Sequence, residues 1–437
     1  SLGINLTGKS DSLYGKLAVW DEQTVRVTHQ ELTGRILPQE KTVTYGEHST
    51  HVGGTMIASG IFNPEARGMA FEATLKSWDF QNDDAKISAA SPNLLISNHS
   101  YGAIAGWSYD SDVNKYRWYG DDKMSVSEDY VFGFYDDDAQ AKDKIAYNSP
   151  YYLMVAAAGN SADENGPPAG QYYLIGNTKD SSNVVRATNT GFNTVASPAT
   201  AKNLLSVGAA EPLASPPVKP TDVTITSFSS RGPTDDGRIK PEIIGIGKDL
   251  FSTGYLSNTD YERMSGTSMA TPQVSGSLFL LQQLNLQLNK KFMWASTLRG
   301  LVTHTAFDVG QAGPDYTSGW GLLDMEKAGK MLQNKDKSYA ISEETLQNGG
   351  SKKMDLIASG KGQLHVTIAW TDPAYEGSNG KVLPIIPSSL NSRIPMLMND
   401  LDIRLQSEDG QLLPFILDPD NPTKAAIAGD NIRDNMG

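Results

Sequence analysis

The sequence predicts a large α/β domain followed by a smaller all-β module, and three observations carry that reading. Short apolar runs at residues 16–21, 94–102, 151–160, 204–208 and 243–246 read as buried strands, several ending in small or polar residues. Patterns with helical spacing lie between or after them, at residues 46–58, from 268 onward and at 294–305. From about Ser338 the texture changes to alternation of apolar and polar residues, as in half-buried antiparallel strands. The boundary is placed between residues 1–338 and 339–437.

Composition narrows the function classes. A chain of 437 residues can bury a sizeable core and still hold a second module. Apolar residues make up 39%, and no apolar run approaches the length of a membrane span. The net charge of −13 argues against a nucleic-acid partner. With no cysteine, disulfides, zinc–thiolate sites and a thiol nucleophile are excluded. The chain begins at Ser1 without a signal-like stretch, so any leader is expected to have been removed or not included.

Taken in order, the first apolar run ends at Asp21, just past the carboxyl end of a strand, where functional groups of open parallel sheets collect. The helical pattern at 46–58 contains His48 and His51. A zinc-protease helix needs two His four apart with Glu beside the first, so one base and one packed histidine is the better reading. Residues 69–78 read as a strand with its approach loop. The strand at 94–102 ends in Ser100, Tyr101 and Gly102. Residues 103–150 are aromatic and acidic, which reads equally as surface packing or as a rim gripping an extended ligand. The strand at 151–160 ends in Gly159 and Asn160, and residues 161–194 read as a long loop or insertion.

Residues 264–276 organise the whole chain. A run of small and hydroxyl residues turns there into a helix, with Val274, Leu278, Leu281 and Leu284 on one side. Ser268 falls at or near the helix start, where free N–H groups and the dipole favour negative charge. Gly266 lets another group come close because it has no side chain. An isolated serine there would be an N-cap; Asp21, His48 and Asn160 make this one a candidate nucleophile. His29, His99, His304 and His365 read as structural, with His99 close enough to the cleft to touch a ligand.

The stretches His48–Thr55, Gly266–Pro272 and Ala157–Asn160, with 228–233, 237–242 and 314–321, together resemble the subtilisin-like serine proteases over roughly residues 10–335. The order Asp21, His48, Ser268 is the subtilisin order. The resemblance implies a mostly parallel sheet with helices on both faces. It further implies Asp21, His48 and Ser268 as a catalytic triad, and Asn160 with the Ser268 N–H as the oxyanion donors. Ser100, Tyr101, Gly102, Ala158 and Gly159 then line an extended substrate. The chain departs from the family in Glu22-Gln23, in Ile244-Gly245-Ile246-Gly247, and in a short segment after the His48 helix, where many subtilisins carry a metal loop.

The function expected is endopeptidase action on extended polypeptides, without a catalytic cofactor or nucleic acid, in a secreted or cell-envelope setting. A triad esterase or acyltransferase and a catalytically silent adhesin are the alternatives. The Gly-x-Ser-x-Gly elbow of α/β-hydrolases is absent, and the quartet is intact. The trailing module resembles the C-terminal jelly roll of large bacterial subtilases. Asp372, Asp400 and Asp402 are its expected calcium ligands, since calcium takes several oxygens at loops. A jelly roll needs about eight strands, more than this stretch offers, so the module is expected to be incomplete here, its missing strands supplied by a further C-terminal fragment, disordered or trimmed.

Overall fold

The computed structural model describes residues 5–437 except 42, 336, 358, 359, 361, 378, 379 and 409. The chain lays down β1 (Leu17–Asp21), β2 (Ile36–Pro38), α1 (Glu47–Ile57), β3 (Leu75–Asp79), α2 (Asp83–Ala90) and β4 (Ile96–His99). Two short strands, β5 (Trp107–Asp110) and β6 (Lys115–Trp118), precede α3 (Asp137–Asn148) and β7 (Leu153–Ala157). Then come β8 (Tyr173–Ile175), β9 (Ser181–Ser182), β10 (Leu205–Ala210), β11 (Ile243–Ile246), and the hairpin β12 (Leu250–Thr253) and β13 (Tyr261–Met264). Three helices close this part, α4 (Thr267–Asn289), α5 (Ala295–Thr305) and α6 (Met325–Gln333).

The central sheet is parallel, in the order β11-β10-β7-β4-β1-β3-β2. Its strands are apolar runs because both faces are covered. On β1, Leu17 and Val19 join one core, while Ala18 and Trp20 join the opposite one. Helix α4 packs on the first face through Val274, Leu278, Leu281 and Leu284, as its spacing predicts. It sits close because Gly276 has no Cβ, which would lie 2.8 Å from the Met69 side chain and 3.1 Å from the Met56 carbonyl. The aromatic stretch and the expected insertion combine in a four-stranded sheet, β5-β6-β8-β9. Trp107, Trp118 and Tyr173 form its small core, and Arg186 lies over the Trp118 and Tyr173 rings.

The C-terminal part carries short antiparallel ladders, β14 (Leu405–Ser407) with β15 (Gly410–Leu412) and β16 (Phe415–Ile416) with β17 (Ile427–Ala428). No closed jelly roll forms among the described residues. The run 353–357 is in no strand, and Ile357 is fully exposed. The run 364–370 contributes one bridge, Ala369 to Met436. Alternation without a hydrogen-bonding partner does not make a strand. The sequence carries a turn signal at Glu408-Asp409-Gly410, of which Asp409 lies outside the described residues.

Parts of this region are built into the α/β body. Met396 belongs to the core that holds Trp20. Asp434 accepts the Ile239 N–H at 2.9 Å, and Asn435 donates to Asn203 Oδ1 at 3.0 Å. Lys202 and Asp372 form a wholly buried ion pair at 2.5 Å. Removing one member of such a pair leaves an uncompensated charge. Lys202→Met is therefore expected to cost about 3–5 kcal/mol in urea unfolding, measured in a Ser268→Ala background. A loss below about 1 kcal/mol, as at a surface pair, would contradict this.

Candidate active site

Asp21 closes β1 and is 1% exposed, so its carboxylate is held away from water. Oδ1 accepts the Glu22 N–H at 2.8 Å and meets His48 Nδ1 at 2.7 Å. A carboxylate only accepts, so Nδ1 carries the ring proton and leaves Nε2 as the basic nitrogen. His48 sits in the first turn of α1, which Gly46 caps, and its side chain is 29% exposed. Burial pulls its pKa down. The charge and hydrogen bond of Asp21, with Glu22 and Glu47, outweigh burial and hold it above the ordinary value.

Ser268 is the second residue of α4, behind the capping Gly266. Its hydroxyl donates to the Ser100 carbonyl at 3.2 Å, while Ser100 Oγ donates to the Ser268 carbonyl at 2.9 Å. Ser268 makes no hydrogen bond to His48 among the described residues, although α1 and α4 pack together. Catalytic hydrogen bonds are often open without substrate.

Asn160 follows β7. Its Oδ1 accepts from the Thr267 N–H at 2.9 Å and from Thr267 Oγ1 at 3.0 Å. That anchors the amide and leaves Nδ2 without a hydrogen-bond acceptor among the described residues. A Cβ on Gly266 would lie 3.4 Å from Asn160 Nδ2 and 3.6 Å from the Ser268 nitrogen. The gap beside Gly266 is thus flanked by two donors, an arrangement able to stabilise an oxyanion.

The expected substrate edges differ from each other. Gly102 is exposed, and neither its N–H nor its carbonyl bonds to backbone among the described residues, leaving a free edge. The next residue is fixed through Ala103 N–H to the Ser197 carbonyl at 2.9 Å. Ser100 is 5% exposed, and Tyr101 turns inward, donating to Asp83 at 2.7 Å. Ala158 is buried and bonds to Val207, while Gly159 donates to Thr267 and accepts from Ser230. Gly159 holds Thr267 in place, and both its backbone groups are already bonded. Thr267, the anchor of Asn160, was not singled out from sequence; its place between Gly266 and Ser268 was the available signal.

Of the other histidines, His29, His51 and His99 are buried in the body, His304 is half-buried and His365 is exposed. His51 is fully buried, its Nε2 at 2.9 Å from the Leu250 carbonyl, and burial lowers its pKa to about 4. His99 is 1% exposed and stacked on Trp20, so it does not reach the cleft surface as expected. Burial pushes its pKa down to about 3.

The expected calcium ligands are not brought together. Asp372 is saturated by Lys202 and by the Met398 and Asn399 N–H groups at 2.9 and 2.8 Å. Asp402 pairs with Arg404 at 3.0 Å, and Arg404 also holds Asp430. Burial and then Asp402 raise the pKa of Asp400. Asp83, Asp84 and Asp138 do converge, but Lys142 already bridges them. No helix among the described residues is long and apolar enough to cross a membrane.

Comparison with known proteins adds independent findings. The sequence model of the Subtilase family, peptidase S8, matches residues 7–321. The serine protease/ABC transporter B family protein tagD of Dictyostelium discoideum is 24% identical over 482 aligned residues, 84% of this chain and 25% of that protein. Pyrolysin of Pyrococcus furiosus is 49% identical over 63 residues, 14% of this chain and 4% of pyrolysin. The chain thus spans a quarter or less of these relatives. The structure of the Clostridium perfringens CspB protease superposes with a TM-score of 0.54 at 16% identity, covering 76% of this chain and 96% of that one. At that identity the likeness speaks for the fold.

Proposed function

The chain belongs to the subtilase family, which matches it across residues 7–321, and on that premise we propose that it is a serine endopeptidase acting on extended polypeptides outside the cell or in the cell envelope. The observation that carries this reading is the buried Asp21 held at 2.7 Å on His48 Nδ1. It leaves Nε2 to serve the helix that bears Ser268. In the proposed reaction Ser268 Oγ turns from the Ser100 carbonyl toward His48, loses its proton to Nε2 and attacks the scissile carbonyl. The oxyanion is held by Asn160 Nδ2 and the Ser268 N–H. His48 then returns the proton to the leaving amine, and water repeats the sequence on the acyl-enzyme. No cofactor enters. Gly102 pairs its free backbone with the substrate strand, an interaction that does not depend on side chains. The sheet β5-β6-β8-β9 grows from the segments that follow β4 and β7.

The test is labelling by a fluorophosphonate, with turnover of a denatured protein compared against that of a simple ester. One labelled serine with preferred cleavage of the protein is expected. Ester turnover without proteolysis would favour an esterase, and the absence of both would favour a binding protein.

The pH profile gives a second check. Only neutral imidazole accepts the proton, and the His48 pKa is raised. kcat/KM should therefore fall with acid through a midpoint above the ordinary value of about 6.5. Glu22→Gln should move that midpoint down, because Glu22 contributes to the shift. A midpoint at or below the ordinary value would contradict the role given to Asp21.

A further inference from the structure

Away from the cleft, three loops of the α/β body meet a loop of the C-terminal part around one buried carboxylate. Asp235 is 6% exposed, and neither of its oxygens has a hydrogen-bond partner among the described residues. Asn193 Oδ1 is likewise buried and without a partner. The two side chains face the same spot. A Cβ on Gly133 would collide there with Asn193 Oδ1 and would lie 2.5 Å from Asp235 Oδ1. The loops are fixed by other bonds, Asp235 N–H to the Gly133 carbonyl and Asn193 N–H to the Gly232 carbonyl, both at 2.9 Å. Asn193 Nδ2 donates to Asn391 Oδ1 at 3.3 Å, and Asn391 Nδ2 donates to Glu128 at 3.0 Å. The side chains therefore converge with their acceptors inward and their donors already engaged.

An unpaired buried acceptor is costly, and an unpaired buried carboxylate more so. A proton on Asp235 could bridge one oxygen to Asn193 and would leave the other unmatched. A cation satisfies all three. The surrounding charge leans the same way: Asp236 and Glu128 are close, Arg238 pairs with Asp236, and Arg393 binds Asp420 and the Asp235 carbonyl. Burial first, then Asp236 and, less, Glu128 push the Asp235 carboxyl up to about 8, and the charge of Arg393 and the Asn391 N–H offset them only in part.

We propose that Asp235 and Asn193 form a binding site for a hard divalent cation of the calcium class. Both Asp235 oxygens and Asn193 Oδ1 are ligands, and water supplies the remaining oxygens that such a cation takes. The site differs from the Asp372, Asp400 and Asp402 set expected from sequence, and it ties the loop at Asn391 to the body. It also steadies the segment 193–197, whose Ser197 carbonyl holds Ala103 next to Gly102.

Calcium chloride titrated calorimetrically into metal-stripped Ser268→Ala protein, which cannot digest itself, tests this. Thermal melting is followed in parallel, because a ligand of the native state raises Tm. Binding with a rise in Tm is expected. Adding Asp235→Asn should weaken affinity about 100-fold, and adding Asn193→Ala about tenfold, since affinity at such sites follows ligand charge and number. Asn193→Ala keeps every charge, so it separates ligation from relief of repulsion. Asp400→Asn should bind like its parent. The proposal is overturned if the parent protein ignores calcium. It is overturned equally if folded Asp235→Asn or Asn193→Ala proteins bind unchanged, or if Asp235→Asn alone raises Tm to a value calcium cannot alter.

Discussion

Ser268→Ala is expected to lower kcat by about 10⁶, the scale known for the nucleophile of subtilisin itself. The size follows from what disappears: without Oγ no acyl-enzyme can form, and only binding and the oxyanion donors remain. Fluorophosphonate labelling should vanish with it. The substitution removes one half-buried hydroxyl contact of 3.2 Å to the Ser100 carbonyl and should leave thermal unfolding nearly unchanged. Intact-mass detection of a labelled adduct in the alanine protein would remove Ser268 from the mechanism, whatever the residual activity.

The second large effect concerns the gap beside Gly266. Asn160→Ala should lower kcat by about 10²–10³ with little change in KM, a magnitude carried over from the matching donor of subtilisin. Gly266→Ala should act by a different route. Its methyl would stand 3.4 Å from Asn160 Nδ2 and 3.6 Å from the Ser268 nitrogen, in or beside the space the oxyanion needs, and the backbone there has φ +154°, which L side chains rarely adopt. Both donors remain, yet the oxygen cannot reach them. The double variant should then be scarcely slower than the worse single one, because both act on one interaction. Fully additive losses would show that the gap is not shared.

Much of the fold was legible because strands covered on both faces leave unbroken apolar runs. β1, β4, β7 and β11 fall inside the expected stretches, β10 overruns its stretch by two residues, and α1, α4 and α5 lie where helical spacing placed them. β8 and β9 were illegible for the opposite reason. They have three and two residues, and β8 pairs with β6 across more than fifty intervening positions. Alternation misled at 353–357, since pattern alone does not supply a neighbour. At the site, motif order placed Asp21 against His48, but the direction of the Ser268 hydroxyl depends on a carbonyl 168 residues away. Asp372 resembled a calcium ligand because nothing near it in sequence reveals Lys202, 170 positions earlier.

The interlocking of residues 431–437 with the body bears on the timing of synthesis. Arg299 reaches Asn435, Thr303 donates to Met436, and residues 368 and 437 bond to each other through both backbone groups. A ribosome adds roughly 5–20 residues per second. For the seconds between emergence of α5 and of Gly437, the nascent chain holds Arg299 and Thr303 without these late-arriving companions. Every side chain needed for cutting has by then left the exit tunnel. The delay separates the making of a blade from its setting in the handle, and a ribosome stalled before residue 431 should carry a chain that a bystander protease degrades faster than the released protein.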